Sequence, residues 1–428
     1  MLDSDILMLY NHSFNANAPT IMENVNSFKK YSNYSVHNVN VFTGFPKNLN
    51  KITFKIIIVH YSSFSSLSPK FFNYIKEQKN SIKIAFFQDE HHNCTKRFNL
   101  INNLDIKVVY TMLEKDYHYI YRDNTNAEMI YHNLTGYVDD GLVSVANSLY
   151  KKIDQRKIDI GYRARPLPFY MGKGAQEKTR IAEEFNNRLF DSKLVLDVKT
   201  KEKDRIYGKA WHHFIANCKG MLGVEAGTSI FDIDGKAEKA CEEYLLNNPN
   251  ALFEEVHNAV LKPFEDKIFY RTISPRIFEA SAFKILMILF EGEYNGIIKP
   301  YVHYLPLKDD FSNFNEIINI LINEKKLVDE IIINAYNDLI KSKKYSYRNF
   351  VGYFDSNLPK GDDEDSMVKS VKEEMLHLFF QLSKYKRILM IKIAKFFTGF
   401  QTPVLKKNEI LRNQLIKEIR NSLRKKWM

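Results

Sequence analysis

The sequence of 428 residues lacks the run of about 18 uninterrupted apolar residues that a membrane-spanning helix requires. Its first ten residues, MLDSDILMLY, also lack the Lys and Arg of a secretory signal and carry acids in their place. These two observations argue against an integral membrane protein and against a classical secreted protein. We therefore expect a cytoplasmic protein.

Cysteine is scarce. The three cysteines, Cys94, Cys218 and Cys241, lie far apart in the sequence and do not have the spacing of metal ligands. This pattern argues against a disulfide framework and against a zinc knuckle, and it fits a reducing compartment. We interpret the three side chains as core thiols.

Most of the chain has no excess of either charge. Residues 383–428 contain 13 Lys or Arg and two Glu, which accounts by itself for the formal net charge of +11. A nucleic-acid-binding protein is expected to spread basic residues over the surface that faces the groove. The concentration of charge in one tail therefore disfavours nucleic acid as a partner.

What the sequence does have is a repeated alternation of apolar runs with helical or polar stretches. Continuous apolar runs separated by crossover segments are typical of parallel strands covered on both faces. The runs of the first part are 5–10, 38–42, 55–61, 82–88, 107–112 and 128–133. The runs of the second part are 158–163, 194–198, 220–225, 268–274 and 284–291, with helices to follow across 313–343. The pattern predicts an α/β protein with two doubly wound, Rossmann-like domains, residues 1–145 and 146–355.

Residues 356–428 differ in kind from what precedes them. An acidic linker rich in polar residues is followed by a segment that places Leu411, Leu415, Ile419 and Leu423 at four-residue spacing among Lys and Arg. This is the pattern of a basic amphipathic helix. Such a helix binds an anionic membrane surface, but it can equally pack on the protein body or on another subunit, and both interpretations stay open.

Two doubly wound domains form a cleft at the carboxyl ends of their strands, where ligands of such folds bind. At the start of the second domain, GYRARPLPFYMGKG offers Arg163 and Lys173 as candidates to bind a diphosphate. Gly172 and Gly174 would let the backbone approach such a ligand. The alternative is a solvated basic loop.

Two further stretches of the second domain carry candidate side chains. ISPRIFEASAF resembles a strand end, a loop and a helix start, with Arg276 and with Glu279 in the first turn; alternatively Glu279 only complements the helix dipole and Arg276 forms a surface ion pair. Glu225 follows an apolar strand and is expected either to contact a ligand in the same cleft or to close the cleft wall. Asp232 and Asp234 have Asp-x-Asp spacing, but two Asp before a Gly favour a turn over a metal site.

In the first domain, IAFFQDEHHN ends an apolar strand with Asp89, Glu90 and His91. Titratable groups at this strand end are candidates for the base that meets an acceptor hydroxyl, with His91 as the reserve. Zinc binding by His91 and His92 is disfavoured, because neighbouring residues on an extended strand point to opposite faces. Asn11 and His12, after the first strand, are expected to line the same pocket.

The stretch PRIFEASAFKILMILFEGEYNGIIKPYVHYLPLKDDFSNFNEI resembles the donor-binding half of GT-B glycosyltransferases, in particular bacterial enzymes of capsule and O-antigen assembly. IDIGYRARPLPFYMGKGAQEK and GMLGVEAGTSIFDIDG are similar to the same group, as is the Gln-Asp-Glu at 88–90. The resemblance covers roughly residues 1–350. It implies that Glu279 holds the donor ribose. Many members carry a second Glu eight positions earlier, where this sequence has Arg271.

The resemblance implies transfer of a sugar from a nucleotide-sugar donor to a glycan or lipid-linked acceptor, with no metal and no cofactor. We expect the enzyme in the cytoplasm, with the basic tail as its contact to the inner face of the cell membrane. Two alternatives remain. A sugar-nucleotide epimerase of the same architecture would turn over donor without acceptor, and a nonenzymatic membrane-surface scaffold would bind lipid without nucleotide.

Overall fold

The computed structural model describes residues 2–13 and 19–358. The predicted basic helical tail therefore lies outside the described residues. Within these residues, none of the helices has both the length and the apolar character needed to cross a membrane.

The first part of the chain forms a six-stranded sheet in which all neighbouring strands are parallel. Its strands are β1 (Leu2–Tyr10), β2 (Val36–Asn40), β3 (Ile52–Val59), β4 (Ile82–Phe86), β5 (Val108–Thr111) and β6 (Met129–His132). Its helices are α1 (Pro19–Tyr31), α2 (Pro69–Glu77), α3 (Cys94–Leu104), α4 (Tyr119–Arg122) and α5 (Asp140–Ser148). The predicted apolar runs all form strands, because continuous Ile and Val can be buried on both faces at once.

Alternate residues of the central strands fill two separate cores. Ile57 and Val59 of β3 pack with α2 and α3 on one face, whereas Ile56 and Ile58 pack with α1 on the other. The period of two along a strand produces this division.

The second part of the chain forms a five-stranded parallel sheet. Its strands are β7 (Ile158–Arg163), β8 (Leu196–Lys199), β9 (Cys218–Gly223), β12 (Leu286–Phe290) and β13 (Leu305–Leu307). The helices that follow in sequence are α6 (Lys173–Arg188), α7 (Gly208–Ala216), α8 (Lys236–Asn247), α9 (Phe253–Val256), α10 (Pro275–Ala282), α11 (Phe314–Asn323), α12 (Lys325–Tyr336) and α13 (Tyr347–Ser356).

One predicted strand does not join this sheet. Residues 270–272 form β11 (Tyr270–Thr272), which pairs antiparallel with β10 (Ala226–Thr228) in a separate two-stranded sheet. The reason is visible in the residues: the half-buried Arg271 stands between the buried Tyr270 and Thr272. A central parallel strand needs apolar side chains on both faces, and this one has a cation on one face.

The chain crosses between the two cores at both ends of the second part. The predicted boundary at residue 145 falls inside α5, where Ala146 packs with Ile277 and Phe278 of α10. At the other end, α13 returns to the first sheet, and its Phe354 packs edge-on to Phe28 of α1 at 4.9 Å between ring centroids. The two sheets are thus joined by packed helices at two places.

The two sheets share a topology. Their strand orders are β2-β1-β3-β4-β5-β6 and β13-β12-β9-β7-β8. In each sheet the strand that comes first in the sequence, β1 or β7, lies between the second and the third, so successive strands are added on opposite sides of it. In open α/β sheets, ligands bind outside the carboxyl ends of the strands at such a switch point. For the second sheet this rule points to the loops that follow β7 and β9.

Candidate active site

A cavity of about 720 Å³ lies at the carboxyl ends of both sheets. Its walls are the loops after β4, β7 and β9, the N-terminus of α1, part of α6, the segment that leads into α7 and the start of α10. The volume falls in the range of about 300–1,000 Å³ that is typical of small-molecule sites. The cavity brings together six of the predicted site residues, namely Asp89, His91, Arg163, Glu225, Arg276 and Glu279.

The loop after β4 is fixed from beneath by Arg97 of α3. The buried guanidinium of Arg97 donates to the carbonyl oxygens of Asp89 at 2.7 Å and Glu90 at 3.1 Å, and also to that of His92. Three hydrogen bonds to one cation impose a tight bend, and Asp89 takes a positive φ of 51° in it. The bend leaves the exposed carboxylate of Asp89 on the cavity wall.

Glu90 points the other way. Its side chain is fully buried, and the carboxylate accepts hydrogen bonds from Thr111 Oγ1 at 2.6 Å, from the Met112 backbone N–H at 2.7 Å and from the Tyr121 hydroxyl. Burial raises the pKa of Glu90, and these hydrogen bonds oppose the rise. Glu90 connects the loop after β4 to β5 and does not line the cavity. Of the two adjacent carboxylates, only Asp89 is in a position to act as the predicted base.

His91 lies on the cavity wall as a neutral imidazole. Burial is the main cause that lowers its pKa to about 3, with His92 and Arg97 adding to the effect. Within the described residues its Nδ1 atom has no hydrogen-bond partner. A group with so low a pKa is a weak base at neutral pH, but it can hydrogen-bond a substrate hydroxyl.

Arg163 lines the cavity with its charge already balanced. Its Nη2 atom donates to both carboxylate oxygens of Asp197 at 2.8 Å, and its guanidinium lies over the ring of Phe214 at 4.4 Å. The predicted role as a free diphosphate ligand is therefore weakened.

Gly172 and Lys173 begin helix α6 as predicted, but neither lines the cavity. Gly172, at φ 82°, packs so closely on Ser229, Ile230 and Glu265 that a Cβ atom would lie within 2.9 Å of each. Lys173 is exposed, and its backbone N–H donates to Glu265 at 3.1 Å. The space beside Gly172 is therefore occupied by other residues of the protein and not by a ligand. Gly174 has the same function, because its missing Cβ makes room for Arg271.

Lys178, which was not among the predicted site residues, lies further along α6 and lines the cavity. Burial, with Arg271 and Arg276 adding to it, lowers the pKa of Lys178 to about 8. A signal for this residue was present, since Lys178 lies three after Ala175 and four before Ala182, on the buried face of the helix. A single lysine on the apolar face of a helix indicates a cation that points toward the protein interior or a binding site. Arg165 and Arg205 also line the cavity.

Helix α10 presents Arg276 and Glu279. Ser274 caps the helix with a side chain that accepts from the Arg276 backbone N–H at 3.4 Å. Glu279 is the fifth residue of α10 and so lies in the second turn, not in the first as predicted. Its Oε2 atom accepts a hydrogen bond from Trp211 Nε1 at 2.9 Å. Burial raises the pKa of Glu279, whereas Trp211 and Arg276 oppose that rise.

Glu225 follows β9 and reaches the cavity wall with its carboxylate held from behind. Its Oε1 atom accepts from the Tyr294 backbone N–H at 2.7 Å, and its Oε2 atom lies 3.7 Å from Arg271 Nε. Arg271 also donates to Glu177 at 3.1 Å. Burial raises the pKa of Glu225, and Arg271 opposes the rise. Arg271 thus balances two carboxylates.

The Asp-x-Asp pair takes part in turn and cap contacts, as predicted. Asp232 accepts from the Glu238 backbone N–H at 2.9 Å, and Asp234 forms an ion pair with Lys236 at 2.5 Å. Over residues 2–13 and 19–358, no group of three His, Cys, Asp or Glu side chains is arranged to hold a metal ion. Asn11 and His12 form hydrogen bonds to Ser62 and Asn40 and do not line the cavity.

No family model and no curated protein matches this sequence. Among solved structures, the fold is similar to that of Anabaena HepE in complex with UDP-glucose, with 11% identity, a TM-score of 0.46 and coverage of 83% of this chain and 100% of that chain. An alpha-glucosyltransferase in complex with UDP-glucose and DNA containing an abasic site has 12% identity, a TM-score of 0.46 and coverage of 83% and 99%. TarM has 14% identity, a TM-score of 0.42 and coverage of 72% and 55%, so this chain spans about half of the TarM chain. At this level of similarity none of the three decides the function of this chain.

Proposed function

We propose that this protein is a glycosyltransferase that binds a nucleotide-sugar donor against the second sheet and transfers the sugar to an acceptor held by the first. The observation that carries the proposal is the composition of the cavity. The cavity is lined by a half-buried carboxylate, Glu279, and by the basic side chains of Arg165, Lys178 and Arg276. The loop after β4 brings Asp89 and His91 to the same space.

The part of the cavity lined by Glu279, Arg276 and Lys178, which we call the donor wall, suits a nucleoside diphosphate. A carboxylate such as Glu279 can accept hydrogen bonds from ribose hydroxyls, and desolvation strengthens such bonds. Arg276 and Lys178 can neutralise the diphosphate, which gains negative charge as it leaves. The N-terminus of α10 faces the same cavity and adds the positive end of its dipole. These cations can take the place of a metal ion, so we propose metal-independent transfer without a cofactor.

This assignment revises the one made from the sequence. Arg163 becomes a support that is paired with Asp197, and Lys173 is replaced by Lys178 as the lysine that binds the diphosphate. Glu225, held by Tyr294 and Arg271, is proposed to contact the sugar.

On the acceptor side, Asp89 is the candidate base. For inversion at the anomeric carbon, Asp89 would take the proton of the acceptor hydroxyl as the new C–O bond forms and the diphosphate leaves. For retention by a front-face route, the leaving phosphate would take that proton, and Asp89 would only orient the hydroxyl. In both routes the neutral His91 serves as a hydrogen-bond partner. The anomer of the product distinguishes the two.

We further propose a cytoplasmic role in the assembly of bacterial surface polysaccharide, in which residues 383–428 bring the enzyme to an anionic membrane surface that carries a lipid-linked acceptor. The resemblance of the sequence to capsule and O-antigen enzymes supports this role. The excess of Lys and Arg in the tail supports the membrane contact, with each basic residue near the surface contributing about 1 kcal/mol.

The test is a thermal-shift screen of the purified protein against UDP-, GDP-, CMP- and dTDP-sugars with EDTA present. A ligand that binds only the folded state raises the midpoint. A shift with one nucleotide, followed by transfer that needs an acceptor, supports the proposal. Turnover of the donor without an acceptor would favour the epimerase. No shift in a folded sample that binds anionic vesicles would favour the scaffold.

A further inference from the structure

Helix α7 presents a pair of stacked aromatic rings to the donor wall of the cavity. Trp211 and Phe214 have ring centroids 5.5 Å apart and an interplanar angle of 27°. Both side chains are buried, at 9% and 6% exposure, yet Trp211 lines the cavity. None of the site residues predicted from the sequence lies on this helix.

Three charged groups of the donor wall rest on this aromatic pair. The indole N–H of Trp211 donates to Glu279 at 2.9 Å, the Arg276 guanidinium lies over the Trp211 ring at 5.0 Å, and the Arg163 guanidinium lies over the Phe214 ring at 4.4 Å. Arg276 also donates to the backbone carbonyl of Arg163. Trp211 therefore contacts one carboxylate and one cation, and Phe214 contacts the second cation.

The hydrogen bond uses only one oxygen of the Glu279 carboxylate. The indole N–H meets Oε2, which leaves Oε1 for a ligand in the cavity. A free Glu side chain has several rotamers, and a ligand that needs one of them must supply the lost entropy. Indole can donate only one hydrogen bond, and it has no acceptor that would compete for a ribose hydroxyl.

We infer that Trp211 is the positioning residue for ribose recognition: its indole N–H fixes the Glu279 carboxylate so that Oε1 accepts from a ribose hydroxyl of the donor. This inference rests on the proposed function and deepens it. It assigns part of the affinity for the nucleotide to a residue that does not itself contact the ribose.

The test compares two ligands that differ only in the ribose. UDP and 2′,3′-dideoxy-UDP are titrated into the wild type and Trp211→Phe by calorimetry, with GDP and its dideoxy form as the pair if the screen selects guanine. Phenylalanine keeps a ring under Arg276 but removes the N–H. We expect Trp211→Phe to weaken UDP binding by about tenfold, the loss typical of one hydrogen bond to a charged group, and to leave dideoxy-UDP binding unchanged.

Two controls separate positioning from support. Phe214→Leu removes the neighbouring ring without touching Glu279, and we expect it to affect both ligands equally. In a Glu279→Ala background, which removes the acceptor, Trp211→Phe should cause no further loss of UDP affinity, because its effect is exerted through the carboxylate. An equal loss for both ligands in Trp211→Phe, or no loss for either, would overturn the inference.

Failure of the inference is distinguishable from failure of the proposed function. A wild-type protein that does not distinguish UDP or GDP from the dideoxy form contradicts the ribose site itself, whatever Trp211 does. A wild-type protein that distinguishes them, with a Trp211→Phe variant that distinguishes them equally well, contradicts only the role of Trp211.

Discussion

The carboxylates of Asp89 and Glu90 lie on opposite sides of one loop. Asp89 is exposed on the cavity wall, whereas Glu90 is fully buried and accepts hydrogen bonds from Thr111 and Tyr121. The bend that Arg97 holds separates the two neighbours. Two carboxylates that are adjacent in the sequence therefore have different environments and should respond differently to substitution.

Asp89→Asn should lower the rate of transfer much more than it changes donor affinity, and it should leave the thermal midpoint unchanged, because the side chain is exposed and acts on the acceptor. Glu90→Gln should do the opposite: the amide cannot accept all of the buried hydrogen bonds, and we expect a loss of about 1–3 kcal/mol in the free energy of unfolding. Steady-state kinetics and urea denaturation measure the two effects. A Glu90→Gln variant of normal stability with lost activity would contradict this division.

Two lysines on α6 form a matched pair. Lys178→Met should weaken donor binding by about 10- to 100-fold, because it removes a cation from the diphosphate site. Lys173→Met should have no effect, because Lys173 is exposed and lies outside the cavity. Titration calorimetry with the nucleotide-sugar checks both, and the reverse order of effects would restore the assignment made from the sequence.

The donor affinity should depend on pH through Lys178. Burial, together with Arg271 and Arg276 and against the opposing effect of Asp89 and Glu177, lowers its pKa to about 8. The ammonium is charged below this pKa, so binding of a diphosphate requires uptake of a proton above it. We expect donor affinity to fall as the pH rises from about 7 to about 9 in the wild type and to stay flat in Lys178→Met. Equal slopes in both proteins would remove Lys178 from the site.

Arg271→Met should destabilise the fold. It leaves the buried Glu225 and the half-buried Glu177 without their cation, and breaking such a pair costs about 3 kcal/mol. The control is Lys239→Met, which removes the partner of Glu243 from an exposed pair on α8 and should cost less than about 0.5 kcal/mol. Chemical denaturation distinguishes them. Equal losses would show that Arg271 does not balance the carboxylates.

The sequence predicted the fold well wherever an apolar run was continuous. Ile56–Val59 and Leu286–Phe290 are central strands because nothing but a doubly covered parallel sheet buries such runs. The prediction of a strand in the main sheet was wrong at Tyr270–Thr272. The segment was judged by its apolar residues, although Arg271 interrupts them. The period of the pattern, not its average hydropathy, distinguishes a central strand from an edge pairing.

The site was harder to predict than the fold because side-chain direction depends on tertiary contacts. The sequence placed the Asp89–His91 loop and α10 at one edge, and the structure brings them to one cavity. It could not show that Arg97 turns Asp89 and Glu90 apart, or that Arg163 is paired with Asp197. It also favoured Lys173 because that residue stands beside glycines, whereas the helical position of Lys178 was the better signal.

The central claim is that a nucleotide-sugar binds at Glu279. The most direct test is calorimetric titration of the nucleotide-sugar that gives the largest thermal shift, with EDTA present, into the wild type, Glu279→Gln and the exposed control Glu254→Gln. The account predicts an affinity about tenfold or more weaker in Glu279→Gln and unchanged in Glu254→Gln, with all three proteins equally folded. Equal affinity in all three would contradict it.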